Sequence, residues 1–345
     1  MKKITVIGHF GFGHNCLDGQ TVKTKILTEE LERRFGESVV GKMDTHGGKK
    51  KLFAMPFMVK RALKESENVM ILPAHNGIRI IAPLLVFFNR FHKRKLHYSV
   101  IGGWLPDFLE KRKWLAKKLK KFDYIYVETS TMKKALEKQG FTNVSVVPNC
   151  KKLTPLTPDE LVYPDGEPYK LCTFSRVMKE KGIEDAINAV KAVNEKHGRV
   201  VYTLDIYGQI DQGQTEWFSE LQSSFPEYVR YGGLVSFDKS VEVLKDYFAL
   251  LFPTRFYTEG IPGTIIDAYA AGVPVISAKW ESFADIIDEG KSGIGYDMED
   301  NEAFCDCLKK ILIEREKTHE MKKYCLEKAD NYLPNAVLDS MLLNL

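Results

Sequence analysis

Short apolar, β-branched runs alternate with stretches of helical spacing along most of the chain. The first run, Lys3-Ile4-Thr5-Val6-Ile7-Gly8, ends in glycine and reads as a buried strand. A glycine-rich loop follows from Gly8 to Asn15 and continues into Asp18-Gly19-Gln20-Thr21. Val22, Ile26, Leu27 and Leu31 then fall on one face of a helix ending near Phe35. Residues 69–72, 98–101, 124–127 and 144–147 are further strand candidates with amphipathic stretches between them, a βαβα order that calls for a parallel sheet flanked by helices. Residues 150–169 are polar, hold four prolines and lack a period, as a linker does. The alternation then restarts, with strands at 170–174, 202–207, 249–253 and 273–277 and helices at 183–195 and 301–314. The expected fold is α/β, with two Rossmann-like, doubly wound parallel-sheet domains, residues 1–152 and 153–329, facing a central cleft. The tail, 330–345, has the helical spacing to pack back on either of them.

A length of 345 residues agrees with two cores, since one rarely grows beyond about 250–300 residues. The longest apolar run, Ile80 to Phe88, is nine residues with Pro83 inside it, whereas a membrane-spanning helix needs about 20. The apolar stretch after Met1-Lys2-Lys3 stops at His9, short of a signal core. Six cysteines (16, 150, 172, 305, 307, 325) are scattered with no CxxC pair, which suits reduced thiols and a cytoplasmic setting. Charge divides where the texture does. Residues 1–152 hold 30 Lys/Arg against 13 Asp/Glu, and residues 153–345 hold 20 against 33. In the basic half, Arg90-Phe91-His92-Lys93-Arg94-Lys95 and the run from Lys111 to Lys121 interleave cations with Phe, Trp and Leu. An interfacial segment on an anionic membrane has this character; a solvated surface and a nucleic-acid face are the alternatives. No stacking platform or helix-turn-helix pattern accompanies the charge, so nucleic acid is not expected as a partner.

The glycine loop is neither a Walker loop, since no Gly-Lys-Ser/Thr follows, nor a GxGxxG fingerprint, since Gly8, Gly11 and Gly13 are misspaced. It is a loop feeding a helix start, where free N–H groups favour an anion, or simply a turn needing positive φ. The richest segment runs from Phe252 to Ile276. A strand delivers a loop with one carboxylate, Glu259. Gly260-Ile261-Pro262-Gly263 turns into a helix near Thr264, which carries a second carboxylate, Asp267, and ends at Gly272. N–H groups at that helix start can hold a phosphate, while carboxylates accept from vicinal hydroxyls. A sugar joined to a ribose through a pyrophosphate would satisfy both. Asp267 can alternatively serve only the helix dipole.

This segment resembles the signature of the retaining nucleotide-sugar glycosyltransferases of family 4, which have the GT-B fold. A Glu, seven intervening residues and a second Glu sit in the frame PT-x(4)-EG-x-P-x(4)-EA-x-AAG-x-PV, and Asp267 stands here where the second Glu is usual. Phe174-Ser175-Arg176 through Lys181-Gly182 resembles the family's GR-x(4)-KG motif, with Ser175 for the usual Gly. The resemblance implies that Arg176 and Lys181 bind the donor's pyrophosphate and Glu259 the donor sugar. Ser175, Gly260 to Thr264 and Asp267 would complete the donor site, and Gly19 and Gln20 would approach the phosphates from the first domain. Val147-Pro148-Asn149-Cys150 resembles the family's PNG, and Leu204 to Gly208 and Val229 to Leu234 resemble elements that cradle the base. On the acceptor side, His75 ends one strand and Trp104 and Asp107 follow the next, with no His near Trp104 where many relatives carry one.

The family further implies a UDP- or GDP-linked donor, UDP the preferred of the two, and a saccharide or lipid-linked saccharide acceptor in surface polysaccharide synthesis. Attack would come from the face the leaving group departs, with its phosphate assisting deprotonation. Neither a metal nor another cofactor is implied, in keeping with the lack of an Asp-x-Asp or His/Cys cluster in the sequence. Two other classes stay open: a sugar-nucleotide 2-epimerase of the same fold, and a binding protein without turnover.

Overall fold

The computed structural model describes residues 1–14 and 19–345, without the side chains of 49–52. The chain forms two compact units, one of Met1–Lys152 with Tyr332–Leu345, the other of Leu153–Asn331.

The first unit holds six parallel strands, β1 (Lys2–Gly8), β2 (Val40–Asp44), β3 (Ser66–Ile71), β4 (Lys95–Ser99), β5 (Tyr124–Val127) and β6 (Val144–Val146), in the order β2-β1-β3-β4-β5-β6. Ile4, Val6, Ile7, Val69, Met70 and Ile71 are all fully buried, as strands covered on both faces must be. The C-terminal helix Pro334–Leu342 belongs here: Val337, Leu338, Met341 and Leu342 pack with Ile26, Leu27 and Leu31, and Asp339 pairs with Arg34.

The second unit repeats the plan with β7 (Tyr169–Phe174), β8 (Tyr202–Tyr207), β9 (Val229–Gly233), β10 (Ala249–Phe252), β11 (Val275–Lys279) and β12 (Gly293–Asp297), ordered β12-β11-β10-β7-β8-β9. The chain runs β7 to β9 outward on one side and then returns to place β10 on the other side of β7. The loops after β7 and β10 therefore flank the point where strand order reverses, which is where open α/β sheets bind ligands. In the first unit the corresponding loops follow β1 and β3.

One buried group makes the first unit pH-sensitive. His97 of β4 is fully enclosed between Tyr126 Oη and Asn68 Oδ1, 3.1 Å from each, and burial, with Lys95 nearby, pushes its pKa down to about 3. The unfolded chain takes up a proton below about 6.5 that the folded chain refuses, so stability falls as pH drops from 6.5 towards 3. Between pH 6.5 and 5 this one group is expected to cost about 2 kcal/mol. Urea unfolding at both values should show the loss, and His97→Gln should remove it; an unchanged slope in the variant would refute the assignment.

Candidate functional site

In the second unit the two sequence motifs meet. The peptide after β7 leads through Ser175 and Arg176 to a short turn, Lys179–Lys181, and then to Gly182, which sits at φ 68°. A Cβ on Gly182 would lie 1.9 Å from the carbonyl oxygen of Pro253, so only glycine lets the loops after β7 and β10 press together. Arg255 fastens them: its N–H donates to Glu180 O (2.9 Å) and its guanidinium forks onto Asp185 at 2.9 and 2.7 Å.

That closeness brings Lys181 directly onto Glu259. Lys181 Nζ donates to Glu259 Oε1, which also accepts from Thr254 Oγ1 at 3.0 Å, and the two side chains are only 16% and 17% exposed. The ammonium also lies 5.0 Å from the ring centre of Phe256. Arg176 is placed differently: its side chain is 56% exposed and touches Asp211 at 3.3 Å. Ser175 Oγ donates to the Arg176 carbonyl at 3.3 Å.

Gly260, Ile261 and Pro262 are buried and lead into the helix Gly263–Ala270. Thr264, in the first turn of that helix, holds its Oγ1 out of solvent without a hydrogen-bond partner. An unspent hydroxyl beside the free N–H groups of a helix start is a donor set for an anion. Asp267 is 2% exposed and accepts from Ser240 Oγ at 2.8 Å. Its carboxylate is thus directed at the neighbouring helix Ser240–Leu244. Behind the site, buried Asp205 receives Arg230 at 2.5 and 2.9 Å and the Tyr247 hydroxyl at 2.5 Å, and Tyr247 meets Tyr207 at 2.9 Å.

In the first unit His75 opens the helix His75–His92, and its ring lies 3.9 Å from that of Trp104, tilted by 31°. Trp104 is fixed by its Nε1–H to Ile101 O at 2.7 Å, and Arg112 stacks 3.9 Å over Phe108, which itself meets His75 edge-on. Burial, then the Arg112 charge, holds the His75 imidazole below its usual pKa, favouring the neutral ring. Asp107 stands apart, exposed in the first turn of Leu105–Glu110. Gln20, in the first turn of the helix that Gly19 opens, spends its amide on Leu72 O at 3.0 Å; Asp18 lies outside the described residues.

The glycine loop after β1 already has an anion, and it is part of the chain. The N–H groups of Phe10, Gly11 and Phe12 donate to Asp44 at 2.9, 3.3 and 3.0 Å, with His46 N–H adding a fourth bond at 2.9 Å. Burial opposes the charge, but those four donors together hold the carboxyl below its usual range. Beside it His9 Nε2 meets His46 Nδ1 at 3.0 Å, His9 Nδ1 meets Thr21 Oγ1 at 2.7 Å, and the His14 ring lies 4.7 Å from that of His46. Nothing local in the sequence announces this grouping, because β2 is needed to bring His46 to His9. Among the described residues, no group of three or more His, Cys, Asp or Glu is arranged to hold a metal ion.

Two six-stranded parallel sheets, each wound with helices, place the chain in the GT-B fold class. Residues 168–314, most of the second unit, match the family of glycosyl transferases group 1. The amylovoran biosynthesis glycosyltransferase AmsK of Erwinia amylovora is 23% identical over 131 residues, which are 37% of this chain but only 32% of that protein. Sucrose-phosphate synthase from Thermosynechococcus elongatus superposes with a TM-score of 0.79 at 14% identity, over 100% of this chain and 98% of its own. HepE of Anabaena, solved in complex with UDP, gives 0.76 at 13% identity over 100% of both chains.

Proposed function

We propose that the protein is a retaining glycosyltransferase that moves a sugar from a nucleotide donor, UDP-linked in preference to GDP-linked, to a saccharide or lipid-linked saccharide in surface polysaccharide synthesis. The observation that carries the reading is the unspent Thr264 hydroxyl at the start of Gly263–Ala270, the helix that follows the loop holding Glu259, which Lys181 meets from the loop after β7. The donor's diphosphate sits on that helix start and draws Lys181 to itself, which frees Glu259 to accept hydroxyls of the donor sugar. As the anomeric C–O bond breaks, its electron pair leaves with the diphosphate. Lys181 and the exposed Arg176 meet the growing charge. The acceptor hydroxyl enters from the same face and gives its proton to the departing phosphate, so no protein nucleophile and no metal are invoked. His75 and Trp104 form a platform on the acceptor side. UDP in HepE supports the choice of nucleotide.

Incubation with UDP- and GDP-sugars and saccharide acceptors tests this. Free nucleoside diphosphate with a glycosylated product of unchanged anomeric configuration is expected. An isomerised donor would make the protein an epimerase, and binding without turnover would make it a carrier or sensor.

The proposal includes a cytoplasmic setting with reversible attachment to anionic membrane. No described helix is long and apolar enough to cross a membrane. The basic first unit nevertheless leaves Phe53, Phe57 and Phe91 at 86%, 72% and 75% exposed, with Trp114 half exposed among lysines. Each Lys or Arg near an anionic surface contributes about 1 kcal/mol, so a handful suffices. Sedimentation with phosphatidylserine vesicles should exceed that with neutral ones, weaken in salt, and fall when Lys113, Lys117, Lys118 and Lys121 become Glu. Equal recovery from both vesicles would contradict it.

A further inference from the structure

Of the two carboxylates in the segment from Phe252 to Ile276, only Glu259 is placed to change partner. Asp267 lies one turn along Gly263–Ala270 from Thr264, yet it is 2% exposed, and its Oδ1 accepts from the Oγ of Ser240, itself 1% exposed, at 2.8 Å. The Ser240 hydroxyl has a second acceptor, Phe237 O, but at 3.4 Å, so its single proton goes to the carboxylate. Leu244, Ile265 and Ala268 on the same two helices are fully buried. Glu259 can release Lys181 because a diphosphate takes the ammonium in its place. Ser240 has no such replacement. Swinging Asp267 out would strand a buried hydroxyl, in return for a hydrogen bond no better than the one given up. Other carboxylates beside the loops after β7 and β10 are occupied as well. Glu180 accepts from Gln214 Nε2 at 2.9 Å, and Asp185 accepts the Arg255 fork.

We infer that Asp267 fastens Gly263–Ala270 to Ser240–Leu244 and that the donor site does not read the 2′-hydroxyl of the nucleoside. This rests on the glycosyltransferase reading and widens its donor class from ribonucleoside diphosphate sugars to their 2′-deoxy counterparts. A site built to bond a hydroxyl rejects the analogue that lacks it, because a buried partner is then left unpaired. Here the carboxylate already has its partner, and removal of the 2′-hydroxyl unpairs nothing. Aspartate suits the fastening for the same reason that it fails the ribose: its short side chain ends at the neighbouring helix.

Calorimetry of the full-length protein with UDP and with 2′-deoxy-UDP is the test. The two should bind within about threefold of one another, and Asp267→Asn, which still offers Ser240 an oxygen, should leave that ratio unchanged. A carboxylate bonded to the 2′-hydroxyl would contribute about tenfold or more, so 2′-deoxy-UDP weaker than UDP by that factor overturns the inference. Urea unfolding reads the fastening without any ligand. Ser240→Ala and Asp267→Ala should each destabilise the second unit, and the double variant should lose much less than the sum of the single losses. Additive losses would show the two side chains uncoupled and would overturn the inference as well. Failure of the wider reading looks different: neither nucleotide then binds, and the urea cycle still decides whether Asp267 is fastened.

Discussion

Glu259→Ala is expected to lower transfer by about 100-fold or more while leaving the melting temperature of the second unit within a few degrees of wild type. The carboxylate is proposed to orient the donor sugar, and a misplaced anomeric carbon loses most of what positioning supplies. Its pairing with Lys181 adds a second consequence. Removing Glu259 leaves an ammonium that is only 16% exposed with no carboxylate beside it, so affinity for UDP alone should rise even as turnover collapses. Lys181→Ala should depress kcat strongly, because its charge helps most as the diphosphate departs. Since the two groups act on one another, the double variant should lose much less than the sum of the single losses. Stopped assays with saturating donor, alongside UDP titrations, check all three. More than about a tenth of wild-type activity in Glu259→Ala, a barrier change of only about 1.4 kcal/mol, would take the residue out of the site. A raised KM with unchanged kcat in Lys181→Ala would remove its leaving-group role.

The second large effect concerns backbone. Gly182→Ala is expected to destabilise the second unit by about 3 kcal/mol and to abolish UDP binding, because the added methyl would lie 1.9 Å from Pro253 O and nothing there is a flexible side-chain end. Relief requires parting the loops after β7 and β10, which carries Lys181 away from Glu259. Gly198 is the matched control: its φ is 63°, close to the 68° of Gly182, but no atom would lie within 4 Å of its Cβ. Gly198→Ala should therefore cost only the left-handed conformation itself, about 1 kcal/mol. Urea unfolding of both variants measures the difference, and equal losses would show that the close approach to Pro253 is not what the glycine serves.

Much of this is legible in the sequence. Interior parallel strands are covered on both faces, so they appear as plain apolar runs such as Val69-Met70-Ile71. β5, β7, β8 and β10 lie where the pattern puts them, whereas β4 begins three residues before the expected 98–101 and β11 two residues after the expected start at 273. The edge strands β2 and β12 carry no such signal, because Val40-Gly41-Lys42-Met43-Asp44 and Gly293-Ile294-Gly295-Tyr296-Asp297 mix glycine and charge into their runs. Without β2 neither the Asp44 anchor of the glycine loop nor the His9–His46 contact could be foreseen, and free N–H groups seemed to await an external anion. In the second unit the frame around Glu259 named its residues, yet pairing is a tertiary property. That Glu259 would sit on Lys181, and that Asp267 would face Ser240, follows from how β10 returns beside β7 and from the packing of neighbouring helices. Likewise, the isolated exposure of Phe53 and Phe57 depends on which face of their helix the sheet covers.

The central claim is that a nucleoside diphosphate binds where the loops after β7 and β10 meet the start of Gly263–Ala270. Backbone amide spectra of labelled protein titrated with UDP test this most directly. The account predicts saturable shifts centred on Lys181, Gly182 and the amides from Gly260 to Ile265, with the largest at Thr264, and their loss in Thr264→Val. Saturable shifts confined to the first unit, or none at millimolar UDP and GDP alike, would contradict it.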